Sequence, residues 1–153
     1  MSERELRISG RFEGRVHLLP IRVYYEDTDV SGIVYHANYL RYFERGRSEF
    51  LRLAGIHHMV MLTGDEPLAW TIRNVTLDYR RPARLDDVLE VHTRFVELSG
   101  ARMTASQAIR KGGHDLVRAR VEAAVITMDG KPRRIPADVR AKMLPYLDEA
   151  LAD

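Results

Sequence analysis

The feature that most constrains the fold is one long helical pattern followed by strand-like segments with no second long helix. From about Ala37 to Ala54, apolar residues and a glycine recur at three- and four-residue steps. The members of this stripe are Tyr39, Phe43, Gly46, Phe50 and Ala54. Residues at these spacings lie on one face of a helix, so the pattern predicts a helix with one buried face. Gly46 on that face predicts a close approach to the element packed against it.

Period-two alternation predicts about five strands around this helix. The predicted strands are Leu18 to Tyr25, Leu68 to Tyr79, Val88 to Leu98, Met103 to Arg110, and Leu116 to Met128. Consecutive strands without crossover helices favour antiparallel pairing. A short C-terminal helix that Pro136 opens is predicted to run to about Leu151. The expected class is α+β, with a strongly curved sheet wrapped around one central helix; from pattern alone, this is one α+β arrangement among several.

Length and composition favour a single globular domain. The chain has 153 residues, of which 45% are hydrophobic and 30% are charged, which is typical of proteins that fold. We expect a loose arm over residues 1–17 and one domain over residues 18–153. The first residues carry charges of both signs and do not resemble a secretory signal, and no apolar run is long enough to span a membrane. A cytoplasmic location is the resulting expectation.

Charge and cysteine content exclude several classes of site. The formal net charge is only +2, with basic and acidic residues interleaved, so we expect no nucleic-acid partner. The chain has no cysteine, which excludes disulfides, thiolate nucleophiles and cysteine-based zinc sites. No cofactor or metal is expected.

The segment Tyr24 to Tyr39 carries the most informative chemistry. It reads YYEDTDVSGIVYHANY and places acids, a histidine and tyrosines between a strand and the long helix. Free N–H groups at a helix N-terminus can polarise a carbonyl and stabilise an oxyanion. A carboxylate just before the helix can attack that carbonyl or activate water against it. This combination of groups suits acyl transfer.

The same segment resembles the signature of the 4-hydroxybenzoyl-CoA thioesterase family, most closely its branch of Tol-Pal system-associated acyl-CoA thioesterases. The matching residues run from Tyr24 to Arg47, and Pro82 to Asp87 adds a second, weaker match. The similarity extends over about residues 18 to 145. It implies a hot-dog fold, a homodimer or a tetramer of dimers with sites between subunits, and hydrolysis of an acyl-CoA or acyl-carrier-protein thioester.

The resemblance also implies roles for individual residues. Asp29 would be the catalytic carboxylate, as nucleophile or general base, with Tyr25 and His36 as its companions. The backbone N–H of His36 would help to hold the thioester oxygen. A departure from the family pattern occurs at Val30-Ser31, where the branch usually has smaller residues such as Ala-Gly. This change affects access for the acyl group and leaves the proposed catalytic positions intact.

Other polar residues have more than one interpretation. Asp27 is interpreted as structural, bonding nearby backbone N–H groups. Glu44 is a second candidate acid on the helix, although ordinary ion pairing with neighbouring arginines also explains it. Arg80, Arg81 and Arg84 are candidate contacts for the phosphates of coenzyme A, since arginine binds phosphate bidentately. A solvated charge run is the alternative for these three.

Rival functions come from other classes. Asp27-x-Asp29-x-Ser31-Gly32 imitates a calcium-binding EF-hand loop, but Asn38 stands where a bidentate Glu is needed. An aspartyl phosphatase would require βα crossovers after the motif, which the chain lacks. A weakly catalytic acyl-binding or scaffold module stays open because a fold does not determine activity. A hot-dog dehydratase is a further alternative, but its catalytic His and helix-borne acid have no matching arrangement here.

Overall fold

The computed structural model describes residues 1–149. The helices are α1 (Glu3–Ile8), α2 (Asn38–Leu53), α3 (His58–Leu62) and α4 (Ala137–Met143), with short 3₁₀ turns at Tyr25–Asp27 and Leu144–Tyr146. The strands are β1 (Arg11–Glu13), β2 (Val16–Arg22), β3 (Leu68–Tyr79), β4 (Val88–Leu98), β5 (Arg102–Lys111), β6 (His114–Thr127) and β7 (Pro132–Arg133). This α+β content, with one long helix, agrees with the sequence-based expectation.

All strands belong to one antiparallel sheet with the order β1-β2-β4-β5-β6-β3, and β7 pairs with the end of β6. The five long strands are those predicted from the alternation. The two additional strands are very short, and strands of two or three residues leave almost no periodic signal in a sequence. Because β3 ends the order, one of its edges is free within the described residues.

Helix α2 packs against β2, β4 and β5 through the face that the apolar stripe predicted. Tyr42, Phe43 and Phe50 on this face are fully buried. Gly46 allows the closest approach, since a Cβ added there would lie 2.7 Å from Val91 Cγ1 and 2.8 Å from Thr93 Oγ1. The helix axis is therefore set close to β4 by the absence of a side chain.

The N-terminal segment differs from the loose arm expected over residues 1–17. Ser2 and Glu5 form a capping box that starts α1, and β1 pairs with β2 in the register Arg11↔Leu18. The ring of Phe12 stacks on Tyr146 at 4.3 Å and meets Phe50 edge-on at 4.9 Å. The aromatic contacts of Phe12 come from distant parts of the chain, so local sequence did not reveal them, whereas the capping box and the pairing of β1 with β2 are local.

Two element ends also differ from prediction. The first long strand ends at Arg22 instead of Tyr25, because the Asp27 carboxylate accepts the Tyr24 N–H and folds the chain into a 3₁₀ turn. The C-terminal helix ends at Met143, and Pro145, which has no N–H to donate, occupies the 3₁₀ turn that follows. The predicted helix end at Leu151 and the last four residues of the predicted domain lie outside the described residues.

Candidate active site

The loop between β2 and α2 folds back on itself and presents Asp29 near its tip. Thr28 and Val34 form an antiparallel bridge, and the Asp29 N–H donates to the Ile33 carbonyl at 2.8 Å. Gly32 turns the chain with φ +79°, in the left-handed region that glycine adopts without strain. The returning arm of this hairpin leads directly into α2.

Asp27 ties the hairpin to the helix. Its side chain is buried, and its carboxylate accepts the Tyr24 N–H at 2.8 Å and the Asn38 side-chain amide at 3.0 Å. Its own carbonyl accepts the Tyr35 N–H at 2.9 Å. With both carboxylate oxygens engaged, Asp27 has the structural geometry that the sequence suggested.

Asp29 is exposed and engaged through one oxygen only. Its Oδ1 accepts the Ser31 N–H at 2.8 Å and the Ser31 hydroxyl at 2.5 Å. These bonds, with the hydroxyl contributing most, lower the pKa of Asp29 below its ordinary value. Its Oδ2 has no hydrogen-bond partner within residues 1–149. An ionised carboxylate with one free oxygen can attack a carbonyl or accept a proton from water.

The N-terminus of α2 leaves backbone donors free. The N-cap is Ala37, whose side chain cannot accept a hydrogen bond. Among the described residues, the N–H groups of His36, Ala37 and Tyr39 have no acceptor. Such donors carry the positive end of the helix dipole and suit an oxyanion.

The side chains of Tyr25 and His36 are both exposed. The Tyr25 ring is 84% exposed. The His36 ring lies 4.4 Å from the ring of Tyr35. Neither side chain forms a hydrogen bond to Asp29 in the part of the chain that the structure describes. Tyr25, Asp29 and His36 thus lie in the same loop, but within residues 1–149 neither ring is hydrogen-bonded to the Asp29 carboxylate.

A second segment, Pro82 to Asp87, clamps the hairpin. The Val34 N–H donates to the Ala83 carbonyl at 2.9 Å, and the Leu85 N–H donates to the Gly32 carbonyl at 3.1 Å. The Ala83 N–H donates to the Tyr39 hydroxyl at 3.1 Å. The two segments that carried the sequence resemblance therefore contact each other in space.

The candidate phosphate-binding arginines separate into two places. Arg80 and Arg81 lie at a cavity of about 430 Å³ that Arg110, His114, Asp115 and Arg118 also line. Arg80 is paired with Asp78 at 2.8 Å. Arg84 instead bridges Ile33 through its backbone, beside the hairpin. The three residues do not form one cluster.

Glu44 lies at a different cavity, of about 360 Å³, between α2, α3 and β3. Its walls are largely apolar, with Leu51, Leu68 and Trp70 among them. Ser48 Oγ and His58 Nε2 are 3.3 Å apart on its polar side. Burial lowers the pKa of His58, which favours its neutral form.

Sequence reasoning missed some residues that shape the site. The Tyr79 hydroxyl, at the end of β3, donates to the His36 carbonyl at 2.8 Å. From the sequence, Asn38 was considered only as a residue that cannot replace the Glu of a calcium-binding loop. Ser31 was considered only in that same comparison and as a departure from the family pattern. An Asp side chain commonly accepts the N–H of the residue two positions later, so the spacing of Asp29 and Ser31 could have predicted this hydrogen bond from the sequence.

Within residues 1–149, no cluster of three or more His, Asp or Glu side chains has metal-binding geometry. The described helices also include none that is long and apolar enough to cross a membrane.

Comparison with known proteins decides the family. The family model described as "Thioesterase-like superfamily" matches residues 23–143. The chain belongs to the thioesterase-like superfamily. The matched region contains the hairpin, α2 and the clamp segment, so every proposed site residue lies within it.

Relatives of this superfamily member include the acyl-CoA thioester hydrolase YbgC of Escherichia coli, 37% identical over 80% of this chain and 92% of that protein. The acyl-CoA thioesterase YbgC of Haemophilus influenzae is 39% identical over 80% of this chain and 90% of its own length. A probable thioesterase from Bartonella henselae has a similar structure, with a TM-score of 0.77, 46% identity, and coverage of 79% of this chain and 99% of that one. The expected hot-dog fold and family are confirmed.

Proposed function

We propose that this protein is an acyl-CoA thioesterase, which hydrolyses the thioester of an acyl-CoA or acyl-carrier-protein substrate to a free acid and a thiol. Family membership and the activity named for its YbgC relatives support the reaction class. One observation carries the site assignment. The ionised Asp29, with Oδ2 free, and the uncapped N-terminus of α2 belong to one hydrogen-bonded hairpin.

The chemistry follows from these two groups. In one route Asp29 Oδ2 attacks the carbonyl carbon, the carbon–sulfur bond breaks, and water hydrolyses the resulting anhydride, which releases the acid, restores Asp29 and supplies the proton for the departing thiolate. In the other route Asp29 takes a proton from water as the water oxygen attacks the same carbon. The carbon–sulfur bond of the tetrahedral intermediate then breaks, and the departing thiolate takes the proton back from Asp29. Negative charge develops on the carbonyl oxygen in both routes, where the His36 and Ala37 N–H groups can stabilise it. No step requires a metal or a redox cofactor.

Tyr25 and His36 are proposed as companions of Asp29 through their exposed rings. Both rings flank the hairpin and are free to contact a substrate without breaking a bond in the described structure. His36 contributes its backbone N–H as well. Replacing either side chain is therefore expected to affect turnover more than folding.

The cavity at Arg80 and Arg81 is proposed to receive the phosphates of coenzyme A, with Arg84 nearer the hairpin. The cavity has more basic than acidic side chains, which favours an anion. Arg81 and Arg84 form no salt bridge within residues 1–149, so their guanidinium groups are available for phosphate.

We further propose a homodimer, or a tetramer of dimers, formed through β3. This strand is 12 residues long, lies at the sheet edge and exposes Ile72, Val75 and Tyr79. A long apolar edge strand favours pairing with another strand, and a second copy of β3 would pair antiparallel across a two-fold axis. Association with the Tol-Pal system is a proposal based on the resemblance to that branch, and a cytoplasmic location is also retained as a proposal.

Turnover on a panel of acyl-CoA and acyl-carrier-protein thioesters, with EDTA present, tests the proposed function. We expect hydrolysis of at least one member of the panel at a rate well above background, with the same rate when EDTA is omitted. Binding of acyl thioesters without any turnover would instead favour the non-catalytic scaffold module. Reversible loss of activity on chelation would contradict a metal-free site.

A further inference from the structure

Within residues 1–149, Tyr79 is the one residue outside the β2–α2 loop and the Pro82–Asp87 segment that hydrogen-bonds the entrance of α2. Its hydroxyl donates to the carbonyl oxygen of His36 at 2.8 Å. Its backbone is fixed in the sheet opposite Val117 of β6, and its ring meets the ring of Tyr39 edge-on at 5.7 Å. The donor is therefore held by the sheet and by the first turn of α2, and the steps described above give it no role.

Peptide geometry links this bond to the free backbone donors. A peptide unit is planar and trans, so the His36 carbonyl and the Ala37 N–H lie on opposite edges of one plane. A bond that fixes the carbonyl also fixes the direction of the Ala37 N–H. The Tyr35 carbonyl likewise accepts the Asn38 N–H at 2.8 Å, which fixes the His36 N–H. The N–H groups of His36 and Ala37 are thus each oriented by a hydrogen bond to the carbonyl oxygen of the same peptide unit.

We propose that Tyr79 is a positioning residue for thioester hydrolysis, because its hydroxyl aims the Ala37 N–H at the oxygen on which negative charge develops. The inference rests on the function proposed above. Tyr79 acts through the backbone and keeps its proton throughout the reaction. Partial burial raises the pKa of Tyr79, so the hydroxyl stays a donor across the neutral range. Hydrogen bonding to the carbonyl also polarises the peptide and strengthens its N–H as a donor.

The variant Tyr79→Phe removes the hydroxyl and keeps the ring that packs on Tyr39. We expect kcat to fall about tenfold to a hundredfold, since a donor that acts on the transition state is misaligned. KM is expected to stay near the wild-type value because ground-state binding is not affected. The acid limb of the pH profile should not move, since Asp29 and Ser31 are unchanged. A purely structural bond would lower the melting temperature without this separation of kcat from KM.

Tyr24→Phe is the matched control. The Tyr24 ring is 59% exposed, and its hydroxyl forms no hydrogen bond within residues 1–149. Removing that hydroxyl is expected to leave kcat unchanged.

A second measurement does not depend on activity, because the amide resonances of Ala37 and His36 can be compared between wild type and Tyr79→Phe by ¹⁵N NMR. We expect the Ala37 amide resonance to shift, since the His36 carbonyl of the same peptide unit loses the hydrogen bond from Tyr79.

Asp29→Asn measured in parallel separates the two proposals. If Asp29→Asn is inactive while Tyr79→Phe has normal kcat, the role of Tyr79 is overturned and the proposed function stands. A rise in KM with unchanged kcat would also overturn it, as would an Ala37 amide that does not shift. If the wild type hydrolyses no thioester, the proposed function fails and the catalytic role of Tyr79 fails with it.

Discussion

Ser31 controls the ionisation of Asp29 through two bonds to the same carboxylate oxygen. In the proposed mechanism Asp29 acts as a carboxylate, so activity should be complete above its lowered pKa and be lost as pH falls through it. In Ser31→Ala the hydroxyl bond is absent, and the pKa of Asp29 should rise toward its ordinary value. The acid limb of kcat/KM against pH should therefore move to higher pH.

Ser99→Ala is a control for this shift, because that serine is also exposed and lies on the turn between β4 and β5. Its pH profile should match the wild type. An acid limb that stays in place in Ser31→Ala would show that Asp29 is not the group whose ionisation limits activity.

Residue-scale features were predictable where they depended on neighbours in sequence. The different roles of Asp27 and Asp29 were proposed from their positions in the motif, and the structure gives each acid bonds that fit its role. The Tyr79 bond was not predictable, since it joins residues 43 positions apart and depends on the register of β3 against β6. The three arginines were grouped by sequence proximity, whereas the turn around Pro82 directs them to different places.

Helix α2 depends on Gly46 for its distance from the sheet. In Gly46→Ala the new Cβ would lie 2.7 Å from Val91 Cγ1, inside van der Waals contact. Overpacking of this kind costs about 1–3 kcal/mol, against the roughly 1 kcal/mol that alanine contributes to helix propensity. We expect net destabilisation of up to about 2 kcal/mol, measured by urea unfolding.

The double variant Gly46→Ala with Val91→Ala tests the cause. Val91→Ala removes the methyl group that the new Cβ meets, so the two changes should be less than additive in the free energy of unfolding. Strict additivity would show that the contact with Val91 is not what requires glycine.

Element-scale prediction succeeded for α2 and the long strands because their periodic patterns persist over seven or more residues. It failed for α1, β1 and β7, each of which is short. Helix α1 has a capping box but no buried residue, and β1 is held by aromatic contacts with Phe50 and Tyr146. Strand β1 therefore depends on tertiary contacts, which local pattern does not report, whereas the Ser2–Glu5 capping box of α1 is a local signal that the sequence interpretation did not use.

The whole molecule is expected to be a dimer or larger oligomer through the free edge of β3. Glutamate in place of Val75, which is 37% exposed on that strand, should weaken pairing because a charge would be buried at the interface. Light scattering coupled to gel filtration should show a dimer or tetramer for the wild type and a smaller species for Val75→Glu.

Val88→Glu is the control, since Val88 is 55% exposed but lies on β4 in the interior of the sheet order. It should keep the wild-type size. A wild-type protein that is a stable, fully active monomer would contradict both the interface and the expectation of sites between subunits.

Asp29 is proposed to perform the chemistry, so the kcat of Asp29→Asn is the decisive measurement. The substitution removes the charge from an exposed, nearly isosteric side chain, so folding should be preserved. We predict a fall in kcat of at least about a hundredfold with little change in melting temperature. Asp27→Asn should instead lower stability by about 1–3 kcal/mol, because its buried bonds to Tyr24 and Asn38 are weakened. Near-normal kcat in Asp29→Asn, with Asp27→Asn or Glu44→Gln inactive, would contradict the assignment of Asp29 as the catalytic carboxylate.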